Sequence, residues 1–193
     1  MPQVLKDEIR EKITASARKL FISKGYENVS MNEIAREAGI AVGNIYRYFK
    51  GKGQLYKYLA EPVALKLMQL FQKPLVSHTK EEIDGKVIGF LEIYESEKEL
   101  LFILLESSHN TDFYNLKEDI INGFADAISR WTSTIPEEKK GKFDEVFIKA
   151  YASAYVNGII SILSAGRDDM FIKMKLYQFS TFMKDSLYKE YAG

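Results

Sequence analysis

The chain has 193 residues, 46% of them apolar, with 27 basic and 27 acidic side chains, two histidines and no cysteine. That apolar share is ample for one or two packed domains, and the missing cysteines exclude a disulfide framework and a thiolate metal site. Residues 1–10 lack the charged, apolar and cleavage pattern of a leader, and the wholly apolar runs fall far short of about 18 residues, so a cytoplasmic protein with no membrane partner is expected.

The zero net charge hides an asymmetry. Residues 1–60 carry 11 Lys and Arg against 6 Asp and Glu, whereas residues 61–193 carry 16 against 21. A basic head on an acidic body suits phosphate contact, because phosphate binding releases counterions; ordinary surface variation is the alternative.

In chain order, Ile9, Ile13, Ala17, Leu20 and Phe21 repeat at helical spacing over 6–24, and Gly25 followed by Tyr26 fits a left-handed stop with its apolar contact. Ser30 and Glu33 then make the S-x-x-E pattern in which each satisfies a backbone amide near the other, so a second helix starts at Met31. Met31, Ile34, Ala35 and Ala38 share one face, and Gly39 ends the helix. A third helix is read over 42–49, with Ile45 and Phe49 inward and Asn44, Arg47 and Tyr48 outward. The short gap between the second and third helices forces a sharp turn, as in a helix-turn-helix.

Taken in register, Ile13, Ala17, Leu20-Phe21, Gly25-Tyr26, Ile34-Ala35, Ala38-Gly39, Gly43, Ile45-Tyr46, Tyr48-Phe49, Lys52 and Leu55 resemble the N-terminal domain of the TetR family of transcriptional regulators. The resemblance covers roughly the first 57 residues and is specific because many positions hold their spacing. It implies a helix-turn-helix DNA-binding domain over 1–52 and a helical effector-binding and dimerisation domain over 53–193. It also implies double-stranded DNA, a palindromic operator, as the partner.

The start of a recognition helix enters the major groove, which points to Val42, Gly43 and Asn44. Arg47 can donate a bidentate pair to guanine, and Tyr46 and Tyr48 suit phosphate or thymine-methyl contact. Ser30 caps its helix and leaves helix-start amides for a phosphate. Lys52 resembles the family's phosphate-binding lysine. Ala41 and Val42 depart from the family, whose members often carry Ser or Thr and a polar or basic residue there, so the operator sequence is undetermined.

A connector helix is read over 54–76, with Pro62 inside it and Pro74 at its end. Further helices are read over 81–96, 98–107, 113–132, 137–165 and 168–191, and the fold is all-α. In the fourth of these, Phe143, Phe147, Tyr151, Tyr155 and Ile159 form one row, beside a row that is small in its middle: Val146, Ala150, Ala154, Gly158 and Ile162. Small residues let another helix approach, and with Met174 and Tyr177 of the last helix they are the expected interface of a homodimer, which the resemblance implies.

The resemblance further implies a small-molecule effector of unknown identity, bound among Phe90, Tyr94, Phe102, Glu106, Phe124, Trp131, Phe147, Tyr151 and Tyr155. The competing reading is that these aromatics are core. Glu106 among rings would favour a cation. With two histidines and no nucleophile or phosphate-loop motif, neither enzyme activity nor a cofactor is expected; His109 and Asp112 are explained by a helix end. A homodimeric repressor released by its effector is therefore expected. A transcriptional activator of the same fold and a non-catalytic protein-interaction adaptor are the alternatives.

Overall fold

The computed structural model describes residues 3–73, 80–106, 111–136, 143–166 and 168–192. Within them the chain is all-helical: α1 Gln3–Lys24, α2 Met31–Ala38, α3 Val42–Ile45, α4 Lys52–Gln72, α5 Lys80–Glu106, α6 Leu116–Thr132, α7 Glu145–Leu163 and α8 Asp169–Ala192. Pro74, His78 and His109 lie outside the described residues.

The chain divides into two compact units. One comprises residues 1–64 and 97–115, the other 65–96 and 116–193. This partition differs from a simple division after residue 52, because α4 and α5 each contribute to both units. In α5 the division coincides with Glu97, whose φ of −137° and ψ of 22° interrupt the helix. The two helices read over 81–96 and 98–107 are thus one element with a break.

In the first unit, α1 buries Ile13, Ala17, Leu20 and Phe21 along one face. Gly25, at φ 76°, ends it with its amide on the Phe21 carbonyl at 2.9 Å. The left-handed turn costs glycine nothing and would strain most other residues. Phe21, Tyr26, Tyr56 and Phe113 form an aromatic cluster, with Tyr56 4.8 Å from Tyr26, 5.5 Å from Phe21 and 6.0 Å from Phe113 between ring centroids. Leu100, Leu101 and Leu104 of α5 are also fully buried. Burying each such side chain contributes about 1.5–3 kcal/mol, so residues 97–115 are part of this unit's core and not a covering loop.

In the second unit, α6 packs along α7 and α7 along α8. The α6 face is Leu116, Ile120, Ile121, Phe124, Ala127, Ile128 and Trp131. α7 starts at Glu145, because the Asp144 carboxylate accepts from the Phe147 amide at 2.7 Å and caps it there; residues 137–142, read as part of the same helix, lie outside the described residues. Phe143 falls before the cap and packs edge-on against Trp131 at 5.9 Å.

By length and composition α7 is apolar enough to cross a membrane, with mean hydropathy 1.5 over 18 residues, although no such helix was expected from apolar run lengths. The reason is that Ser153, Asn157 and Ser161 break the apolar runs without adding charge. Only 28% of that window is buried, so much of an apolar helix faces outward.

Candidate nucleic-acid interface and cavity

The α2 cap is the best-defined local geometry in the first unit. The Ser30 hydroxyl accepts from the Glu33 amide at 3.2 Å, and Glu33 Oε2 accepts from the Ser30 amide at 2.9 Å, closing both halves of the capping box. Lys24 of α1 donates to the other Glu33 oxygen at 2.8 Å. The Lys24 hydrogen bond first, and then the Ser30 amide and hydroxyl, hold the Glu33 carboxyl down to about 2. Lys19 pairs with Glu37 in the same way and lowers its pKa, so two lysines of α1 fasten α2 by its acidic side chains.

Gly39, at φ 67°, ends α2, and Ile40 returns an amide to the Ala35 carbonyl at 3.0 Å. Two residues later α3 begins. Ala41 is its N-cap and offers no side-chain bond, the departure anticipated in the sequence. The α-helix ends at Ile45 and does not reach Phe49. Arg47 and Tyr48 continue instead in tighter turns, their amides on Asn44 and Ile45 carbonyls at 3.2 and 2.9 Å. This short helix keeps its inside and outside as read: Ile45 and Phe49 are buried, while Gly43, Asn44, Tyr46 and Arg47 are exposed and Val42 and Tyr48 half-buried.

The basic residues divide into two groups. Arg36, Arg47 and Lys50 are exposed and make no side-chain hydrogen bond or ion pair among the described residues. Lys52 is engaged internally. Its ammonium donates to the carbonyls of Tyr26 at 2.9 Å and Glu27 at 3.2 Å, and lies 4.3 Å from the centre of the Tyr26 ring. Two of its three N–H groups thus hold the α1–α2 loop against the start of α4, leaving one for a phosphate. Arg36 and Lys50 are the cations the sequence reading passed over; their exposed positions beside Gly39 and Phe49 were the available signal.

The second unit contains a cavity between α4, α5, α6, α7 and α8. Phe90, Phe124, Tyr151 and Tyr155 line it. Tyr94, Phe102, Trp131 and Phe147 do not: Tyr94 donates to Asp169 at 3.2 Å, Phe102 is an exposed residue of the first unit, and Trp131 and Phe147 pack around Phe143. The Glu106 side chain lies outside the described residues. Phe71, Lys86, Ile128, Ser180, Lys184 and Leu187 complete the wall and were missed. Ile172, Leu176, Ser180 and Lys184 are all buried at i+4 spacing, so the register of α8 was a usable signal.

The cavity that these walls leave is small, about 30 Å³. The side chains stand close, and a larger occupant must part them. Burial pushes the Tyr151 and Tyr155 phenols up, so both remain protonated hydrogen-bond donors at neutral pH.

Residues 13–59 match the family model for bacterial regulatory proteins of the tetR family. An HTH-type transcriptional regulator of Staphylococcus aureus (strain USA300) is 48% identical over 54 residues, which are 28% of this chain and 29% of that protein. The chain therefore spans less than a third of the curated relatives' length in the matched segment.

Two solved folds cover most of the chain. The TetR family transcriptional regulator PfmR from Thermus thermophilus has a TM-score of 0.69 at 17% identity, over 90% of this chain and 97% of its own. SmeT, the repressor of the Stenotrophomonas maltophilia multidrug efflux pump SmeDEF, has a TM-score of 0.67 at 16% identity, over 92% and 89%. In its triclosan complex SmeT gives 0.61 at 22% identity, over 93% and 91%. At these identities the likeness is one of fold.

Proposed function

We propose that this chain, which belongs to the TetR family of bacterial regulatory proteins through residues 13–59, is a homodimeric DNA-binding repressor released from a palindromic operator by a small-molecule effector. The carrying observation is the exposed Asn44, Tyr46 and Arg47 surface beside a fully capped α2, with the Arg47 guanidinium uncommitted among the described residues. A planar fork of donors on a groove-sized helix suits guanine O6 and N7. Arg36 and Lys50 flank it as phosphate contacts, joined by Ser30 and by the remaining donor of Lys52.

The second unit supports the dimer. Val146 is 78% exposed on α7, and Met170, Met174, Tyr177 and Phe182 are 53–77% exposed on α8. Ala150 and Ala154 continue the open α7 face. Large apolar residues spread over two adjacent helices are poorly hydrated and favour a covering surface. A second copy supplies one of the same composition, and two-fold pairing gives recognition helices spaced about 34–36 Å for successive major grooves. The effector is assigned to the cavity of the second unit; SmeT, a repressor of the same fold, has been solved with triclosan.

Selection of bound duplexes from a random pool tests the reading. A palindrome with two half-sites is expected, and Arg47→Ala should relax preference at one base pair per half-site, a loss of about 1–3 kcal/mol of discrimination. A pool with no enriched sequence, retained only through salt-sensitive binding, would overturn it.

A further inference from the structure

Tyr155 stands between the second-unit cavity and an open groove of the same unit. Its buried ring lines the cavity beside Phe124, at 5.2 Å, and Phe71, at 6.3 Å between centroids. The same ring stacks on Phe179 of α8 at 5.8 Å and 23°. Phe179 does not line the cavity. It lines a groove between the end of α7 and α8, together with Ile162, Ala165, Phe171 and Phe182. Phe182 belongs to the exposed apolar face that favours a second copy, so a pair of stacked rings joins the cavity to that face.

An occupant larger than a water must displace the walls of so small a cavity, and close-packed interiors transmit the displacement. The walls do not resist alike. Phe71 lies in the last turn of α4, where Arg130 donates to the Gln72 carbonyl at 3.1 Å and Lys86 to the Leu70 and Lys73 carbonyls at 2.9 and 2.7 Å. Leu70 and Gln72 are also seated directly against Gly89 and Gly123, where a Cβ would lie 2.9 and 2.7 Å from them. Tyr155 is backed instead by a half-buried ring that borders open groove. Its hydroxyl donates to Ser180 Oγ at 3.0 Å, so the residue next to Phe179 is drawn along with it.

Phe179 has one direction in which to yield. At Gly158, three residues after Tyr155, a Cβ would come 2.7 Å from Phe179 Cε1 and 3.0 Å from Cε2, so the ring already rests on the α7 backbone. Pressed by Tyr155 and stopped by this backbone, the ring moves toward the groove.

We propose, resting on the dimer reading above, that the Tyr155–Phe179 stack links the cavity to the pairing face: an occupant that displaces Tyr155 drives Phe179 into the groove and weakens the contact with a second copy. The coupling is reciprocal, so pairing in turn opposes occupancy.

Added volume in the wall stands in for an occupant. Phe124→Trp enlarges the ring 5.2 Å from Tyr155 and changes no exposed residue of α7 or α8. Sedimentation equilibrium of the full chain should show the dimer dissociation constant of this variant raised about tenfold. In a Phe179→Leu background, where the smaller side chain absorbs the displacement, Phe124→Trp should change the constant less than about twofold. Phe71→Trp, which adds volume from α4, should give the same pattern and serves where Phe124→Trp does not fold. A constant left unchanged or lowered by the added ring overturns the linkage and leaves the dimer standing. A rise that persists in full in Phe179→Leu overturns the route through the stacked pair. A chain that sediments as a monomer at every concentration overturns the dimer reading with it.

Discussion

Arg18 Nη2 lies 2.9 Å from Glu97 Oε2, at the residue where α5 leaves helical geometry, and 3.8 Å from Glu99 Oε2. Arg18 belongs to α1, and Glu97 lies two turns after the cavity residue Phe90 in α5. The pair thus secures the broken end of α5 to the helix whose lysines hold α2. Both partners are partly exposed, so a contribution of about 0.5–1 kcal/mol is expected. A double-mutant cycle with Arg18→Met and Glu97→Gln in urea unfolding should return that coupling, whereas strictly additive singles would leave the contact without energetic meaning.

Glu33 makes the α2 cap sensitive to acid. Its carboxyl, held down to about 2 by Lys24 and Ser30, has a usual value of 4.5. A depressed carboxyl contributes stability that is fully present above the unfolded value and is lost as pH falls through the folded one, which places the loss between about pH 4.5 and 2. Urea midpoints followed by circular dichroism should show Glu33→Gln less stable than the parent at pH 6, with the two curves converging below pH 4.5. Parallel curves throughout that window would remove Glu33 from the acid response.

The reading head was legible in the sequence because its signals are local. Ser30 and Glu33 are three residues apart, and Gly25 and Gly39 each announce a left-handed stop within one turn of its cause. What escaped depends on contacts distant in the chain. Glu97, Leu100 and Phe113 join the first unit with Arg18 and Tyr56, partners far off along the chain, and no periodicity within 97–115 reports that. Register alone marked Lys52, but the carbonyls that take two of its donors, those of Tyr26 and Glu27, are brought there by the fold of α1. In the cavity, ring-bearing residues were easy to nominate. Lys184 was not, because a lysine on an apolar row is ordinarily taken for an exposed one.

Tyr56 carries a cost inside the aromatic cluster. The residue is 1% exposed, burial pushes its phenol up, and its hydroxyl has no hydrogen-bond partner among the described residues. A buried donor without an acceptor forfeits its hydration, so deleting the oxygen removes a penalty and leaves the ring contacts in place. Tyr56→Phe should be neutral or stabilising by up to about 1 kcal/mol in thermal unfolding. A loss of more than about 1 kcal/mol would mean that an ordered water satisfies the hydroxyl.

The dimer reading has its own test on α8. Met174 is 53% exposed and Tyr177 55%, one turn of helix that the chain's own core does not require. Met174→Glu together with Tyr177→Lys should preserve the circular dichroism spectrum and shift the sedimentation coefficient from dimer to monomer. Operator affinity should fall with it, because each half-site then binds alone. An unchanged coefficient would place the interface elsewhere.

Gly158 is closely packed within its own chain. A Cβ there would overlap the Phe179 ring of the same chain, with Cε1 only 2.7 Å away, and Phe179 in turn stacks on Tyr155 at 5.8 Å and 23°. The glycine therefore admits α8 to α7, next to a tyrosine of the cavity wall. Gly158→Ala should cost about 1–3 kcal/mol by overpacking. Phe179→Leu, which frees the contested volume, should recover part of that loss in the double variant, a coupling readable in denaturant unfolding at protein concentrations where association is constant. If Gly158→Ala instead leaves unfolding unchanged and alters only the sedimentation coefficient, the glycine serves the contact between copies and not the packing of α7 on α8.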